Sequence, residues 1–161
     1  MIERTYSYES RTFDPKAALA LSGLDYLRGI LRGDFPAAPI AATLGFAPTE
    51  FEPGRAVFEG TPERFAYNPI GSIHGGWAAT LLDSAMGCAV HTTLPAGKAY
   101  TTVDLSISLV RAITERSGRI RCEAKIIHTG GSVATAEGRI TGADGTLYAH
   151  GTTTCLVLTP R

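Results

Sequence analysis

The sequence predicts an α+β domain in which a curved antiparallel sheet wraps a long central helix, with one further helix ahead of it. Three observations carry this reading. Residues 77–90, from Trp77 through Leu81, Leu82 and Met86 to Val90, are apolar nearly all round a helical wheel, interrupted only by Thr80, Asp83 and Ser84. That is the pattern of a helix enclosed by other structure. Downstream, Val103, Leu105, Ile107 and Leu109 alternate with Thr102, Asp104, Ser106 and Ser108, and Ile120, Cys122, Ala124 and Ile126 alternate with Arg119, Arg121, Glu123 and Lys125. Each run has the period of two expected of a strand with one wet face. Glu52-Pro53-Gly54, Ser117-Gly118, Gly130-Gly131 and Ala143-Asp144-Gly145 punctuate the chain as turns. A twisted antiparallel sheet curled around the apolar helix would bury it, and its open edge strands would be natural places for subunit pairing.

Taken in order, residues 1–14 are polar and unpatterned, with Tyr6, Tyr8 and Phe13 available for local packing. Asp14-Pro15 reads as an N-cap followed by a first-turn proline, and Leu19, Leu24, Leu27, Ile30 and Leu31 form the stripe of one amphipathic helix stopped at Gly33. Residues 34–39 form a connector, because Pro36 and Pro39 lack amide donors and restrict the residues before them. Two antiparallel strands are expected over 43–51 and 55–65. A glycine-rich loop, Asn68-Pro-Ile-Gly-Ser-Ile-His-Gly-Gly76, then opens the central helix, which ends near Leu94-Pro95-Ala96-Gly97. Four strands in a meander complete the chain. The expected division is an extension over 1–35 and a single domain over 36–161.

At 161 residues the chain is long enough to bury a substantial core without staples. Fifteen basic and fifteen acidic residues cancel, which argues against a general electrostatic footprint for nucleic acid or an anionic membrane. Cys88, Cys122 and Cys155 are odd in number and far apart, so neither a disulfide framework nor a zinc site is expected, and reduced thiols fit a cytoplasmic protein. Charges among the first twenty residues leave no apolar core for a signal peptide, and no run approaches membrane-spanning length. No metal or other cofactor is expected.

Within the central helix Asp83 most needs a reason. An ionised carboxylate in an apolar run is costly to desolvate unless it is paired, hydrogen-bonded or used. Asn68, Gly71, His74-Gly75-Gly76 and Asp83 nine positions after the histidine, followed by the alternating strand over 101–110, together resemble the hotdog-fold thioesterases, and among them the phenylacetate-degradation type of acyl-CoA thioesterase. The likeness covers roughly residues 36–158. It implies a hotdog fold, a homodimer whose sheets join side by side and often pair into a homotetramer, and hydrolysis of acyl-CoA thioesters. It further implies that Asp83 is nucleophile or general base, that the Gly75 amide is the oxyanion-hole donor, and that Asn68 and His74 shape the site. The chain departs from the usual pattern at Ala112, where many relatives have proline, and at Gly130-Gly131, where Gly-Arg is common; coenzyme A contacts are expected at both places.

The residues themselves suit that chemistry. Gly75 and Gly76 at a helix start offer unpaired amides, the positive end of the helix dipole and no side chain to block close approach, so Gly76 joins Gly75 as a candidate substrate contact. A thiolate leaves readily, so one carboxylate and an amide hole can suffice, with Asp83 either deprotonating water or attacking to form an anhydride. Eight residues of helix separate Gly75 from Asp83, about 12 Å of rise, too far for both to meet one carbonyl carbon. If both are used, each site takes its halves from two chains.

Plainer readings compete at other positions. Asp83 could simply accept bonds from Ser84, Thr80 or a neighbouring chain, Asn68 could start a turn, and His74 is read as holding the loop. Trp77 and Met86 read as core. Cys88 reads as a small core hydrophobe rather than a nucleophile, and Ser84 and His91 stand about two helical turns apart, which argues against a nucleophile pair. Arg111, Arg116 and Arg119 are candidates for phosphate contact, with solvated strand ends as the alternative. Beside the thioesterase stand two other functions. One is a non-catalytic acyl-CoA-binding or regulatory protein. The other is a hotdog hydratase, which would want histidine where this chain has Cys88. Aryl, short-chain and medium-chain acyl groups all fit the sequence.

Overall fold

A computed structural model describes residues 1–160. Its frame is one six-stranded antiparallel sheet in the order β1-β2-β4-β5-β6-β3, curved about the helix α4, Gly75–His91. The strands are β1 (Phe46–Glu52), β2 (Arg55–Gly60), β3 (Ala99–Leu109), β4 (Ile120–Thr129), β5 (Val133–Gly142) and β6 (Leu147–Leu158). Inward residues Ala56, Phe58, Ile120, Cys122, Ala134, Ala136, Ile140 and Ala149 close on Leu81, Leu82, Ala85 and Met86 of α4 in a single core. The small side chains of β4 and β5 let the helix lie close. The outward face is polar, and Arg55 and Arg121 join Glu50, Glu59 and Glu123 in an ion-pair lattice. The Arg55 guanidinium beside Glu123 holds that carboxyl down to about 2.

Three expectations about the elements need correction. The N-terminal stripe is two helices, α1 (Pro15–Leu19) and α2 (Gly23–Arg32). Asp14 caps α1 as expected and Gly33 ends α2 in the left-handed region. Between them Ser22 caps α2 by accepting from the Asp25 amide, while the Leu19 carbonyl accepts from Gly97 N–H and the Gly23 N–H donates to Leu94. Tertiary bonds to the loop after α4 thus win over helical continuation. Residues 43–45 are not strand but the end of α3 (Pro39–Leu44) and its left-handed cap Gly45, and β2 stops at Gly60 because Pro62 cannot donate to the ladder. Finally, the last four strands are not a meander. Only β4, β5 and β6 follow one another, whereas β3 crosses to the far edge to pair with β6, and β4 returns beside β2.

The edge position of β3 changes its burial. Its alternation is real, yet Val103 and Leu109 remain 53% and 56% exposed, because no further strand among the described residues pairs with its free edge. A bulge between Thr102 and Asp104 sets Thr102 opposite Cys155 and Leu105 opposite Thr153. Thr102, expected on the wet face, therefore faces the helix.

The extension docks on the C-terminal end of α4. A Cβ at Gly23 would stand 1.9 Å from the His91 carbonyl oxygen, an approach only glycine permits. Gly23→Ala is expected to lower stability by about 1–3 kcal/mol through forced separation of the two helices; urea unfolding checks this, and an unchanged midpoint would contradict it. Beside this contact His91 packs between Tyr26 and Tyr100, with ring centroids 5.9 and 5.3 Å away, and burial lowers its imidazole from 6.5 to about 4. The unfolded chain takes up a proton below about pH 6.5 that the folded chain refuses. The stability contributed by the neutral ring is present above that pH and is lost as pH falls towards 4, by about 1.4 kcal/mol per pH unit. Unfolding free energies measured between pH 7 and pH 4 should show this slope flattened in His91→Gln; parallel slopes would count against it.

Candidate active site

The loop before α4 is built to hold its own shape. Asn68 Oδ1 accepts from the amides of Ile70 and Ser72, and its Nδ2 donates to Ser72 Oγ at 3.1 Å. Gly71 takes φ +90°, which only glycine adopts without strain. The turn delivers His74 as the N-cap of α4, where Nδ1 accepts from Gly76 N–H at 2.9 Å. The acceptor role fixes the neutral His74 ring with its proton on Nε2.

These bonds sort the two glycine amides. That of Gly76, a candidate substrate contact from sequence, is taken by His74. That of Gly75 meets no protein acceptor among the described residues and stands at the positive end of a 17-residue helix. It borders a cavity of about 320 Å³ also lined by Asn68, His74, Leu109 and Arg111. Arg111 is exposed at this cavity, and its charge lowers the Asp144 carboxyl, after the hydrogen bonds from Thr146 that are the larger cause. Arg119 by contrast pairs with Glu59 on the outer face of the sheet.

Asp83 lies on another wall of the protein. It is half-buried, and Oδ1 accepts from Thr102 Oγ1 at 3.0 Å. Its Oδ2 has no protein donor and neither oxygen has a cationic partner among the described residues. Thr80, an expected donor, instead bonds back to Gly76 O. The carboxylate opens into a cavity of about 1070 Å³ that shares no lining residue with the one at Gly75. Within one chain, then, Asn68, His74, Gly75 and Arg111 are brought together, and Asp83 is not among them.

Two other polar groups near Asp83, Cys88 of α4 and Tyr100 of β3, are unsuited to proton transfer or attack. Burial, followed by the charge of Asp83, pushes the Cys88 thiol up to about 12, which leaves it protonated and inert. Tyr100 is raised well above its ordinary value, chiefly by burial. Among the described residues no cluster of His, Cys, Asp and Glu could hold a metal ion, and no helix is long and apolar enough to cross a membrane. Thr102 is the residue that pattern reading missed, because the bulge that turns it inward leaves no mark in the alternation.

Comparison with known proteins agrees with this fold. The thioesterase superfamily model matches residues 70–149, a span that contains both Gly75 and Asp83. A crystal structure from Ralstonia eutropha, described as a thioesterase and phenylacetic acid degradation-related protein, is similar at 28% identity with a TM-score of 0.74, over 81% of this chain and 98% of that one. A thioesterase family protein from Silicibacter pomeroyi is similar at 25% identity and TM-score 0.74, over 83% and 98%. A Halobacterium salinarum protein carrying an esterase name is 39% identical over 69 residues, which are 42% of this chain and 44% of that relative's length.

Proposed function

Because the chain belongs to the hotdog-fold thioesterase superfamily, we propose that it hydrolyses acyl-CoA thioesters, using Asp83 of one chain and the Gly75 amide of another. The observation that carries this is the Asp83 carboxylate, oriented by Thr102, without a cationic partner among the described residues and open to a large apolar cavity. A merely structural carboxylate on a buried helix would be neutralised by partners.

In the proposed reaction water stands against Asp83 Oδ2, which takes its proton as the oxygen attacks the thioester carbon. The developing oxyanion accepts from the Gly75 N–H, reinforced by the helix dipole. Collapse breaks the C–S bond, and the departing thiolate takes a proton back. Attack by Asp83 itself, with an anhydride hydrolysed in a second step, uses the same groups. His74 and Asn68 serve by holding the loop, and Arg111 at the mouth of the Gly75 cavity suits a coenzyme A phosphate.

The separation of the two cavities supports the part given to a second chain. The free edge of β3, with Val103, Leu105, Leu109 and Val110 exposed, suits side-by-side pairing into a homodimer, with a dimer of dimers as the larger assembly. A hydratase lacks its histidine, for Cys88 stands there instead. The test is free-thiol release by purified protein from aryl-, short- and medium-chain acyl-CoAs. Turnover above the uncatalysed rate is expected for at least one; binding without turnover across the panel would replace this reading with a non-catalytic acyl-CoA-binding protein.

A further inference from the structure

The N-terminal extension has no part in the chemistry above, yet it forms one whole wall of the cavity at Asp83. Phe13, Tyr26 and Ile30 line it together with Asp83, His91 and Tyr100. The rings stand in sequence from the extension to the helix: Phe13 to Tyr26 at 6.3 Å, Tyr26 to His91 at 5.9 Å, His91 to Tyr100 at 5.3 Å. Although residues 1–13 contain no helix or strand, two arginines fasten them. The Arg4 guanidinium lies 3.7 Å over the Phe65 ring and donates to the Ala42 carbonyl, while Arg11 donates to the carbonyls of Gly33 and Asp34 and pairs with Glu9. The wall is thus held in place.

We propose that residues 1–39 complete the acyl pocket, and that it takes an extended apolar acyl group of medium chain length or more; this rests on the thioesterase reading above. Size and depth argue for it. The cavity volume, about 1070 Å³, lies at the top of the range of about 300–1,000 Å³ that encloses drug-sized ligands. From Asp83 to His91 the floor runs eight residues along α4, about 12 Å. An acetyl group at Asp83 would leave most of that length as wetted apolar wall. Each further methylene buried is worth about fourfold in binding, so the pocket rewards chain length.

The test compares decanoyl-CoA with acetyl-CoA as substrates for the wild type, Ile30→Trp, which fills the pocket, and Phe13→Asp, which places a charge in its wall at an exposed position where folding is not at stake. Wild-type kcat/KM should favour decanoyl by about a hundredfold or more, and each variant should lower that ratio at least tenfold. A ratio unchanged in both folded variants, or a wild type that favours acetyl, overturns the pocket. If neither substrate releases thiol, the hydrolytic reading fails and the pocket is read by calorimetry with the thioether S-decyl-CoA. Binding at least tenfold weaker in Phe13→Asp than in wild type upholds it, and equal or absent binding overturns it.

Discussion

Asp83→Asn is expected to cut acyl-CoA hydrolysis by about a thousandfold or more while leaving the fold intact. General-base participation alone is worth about two to four orders of magnitude, and the amide is neither base nor effective nucleophile. The change is nearly isosteric, so Thr102 Oγ1 keeps an acceptor at the position of Oδ1. No ion pair is lost, since Asp83 has no cationic partner among the described residues. The expected signature is therefore a collapse of kcat with the melting temperature and the affinity for S-decyl-CoA little changed. Turnover within tenfold of wild type would remove Asp83 from the chemistry and leave it a structural acceptor.

Gly75→Pro is expected to cost about two to three orders of magnitude in kcat, the range found when one oxyanion-hole donor is removed. Proline deletes the amide hydrogen and little else. The position is the first of α4, where proline is favoured, and His74 before it is extended at φ −60°, ψ 137°, as a residue preceding proline should be. The added Cβ would stand 2.8 Å from Leu109 Cδ1, the far end of a flexible side chain that can turn aside. Gly75→Ala is the control. It brings the same Cβ but keeps the N–H, so it should retain most of the activity lost in the proline variant; equal losses in the two would assign the effect to crowding.

What was legible in the sequence is what local rules control. The apolar run of α4, the turn glycines and the Asp14 cap all depend on neighbours a few residues away, and each was found where it was expected. The placement of β3 was not legible, because alternation fixes which face a residue takes and says nothing of which strand lies alongside. Thr102 escaped for a related reason: a single bulged residue reverses the face of everything before it. The N-terminal stripe misled because Leu19 and Leu24 keep a helical spacing across a break that is made by bonds to Leu94 and Gly97. The residues lining the large cavity, Phe13 and Tyr26 with His91 and Tyr100, are far apart in the chain, and tertiary contacts such as the close approach at Gly23 and the bonds to Leu94 and Gly97 bring them together. The pairing of Asp83 with Gly75 across two chains rests on helix rise, a quantity the sequence does carry, and the separate cavities support the same reading.

That two-chain site is the centre of the account, and one measurement tests it most directly. Asp83→Ala and Gly75→Pro proteins, each inactive alone, are mixed under conditions of verified subunit exchange, and thiol release from decanoyl-CoA is followed. Each heterodimer would hold one site with both groups intact and one with neither, so a statistical mixture of dimers should recover about a quarter of wild-type activity. No recovery after demonstrated exchange would contradict a site shared between chains.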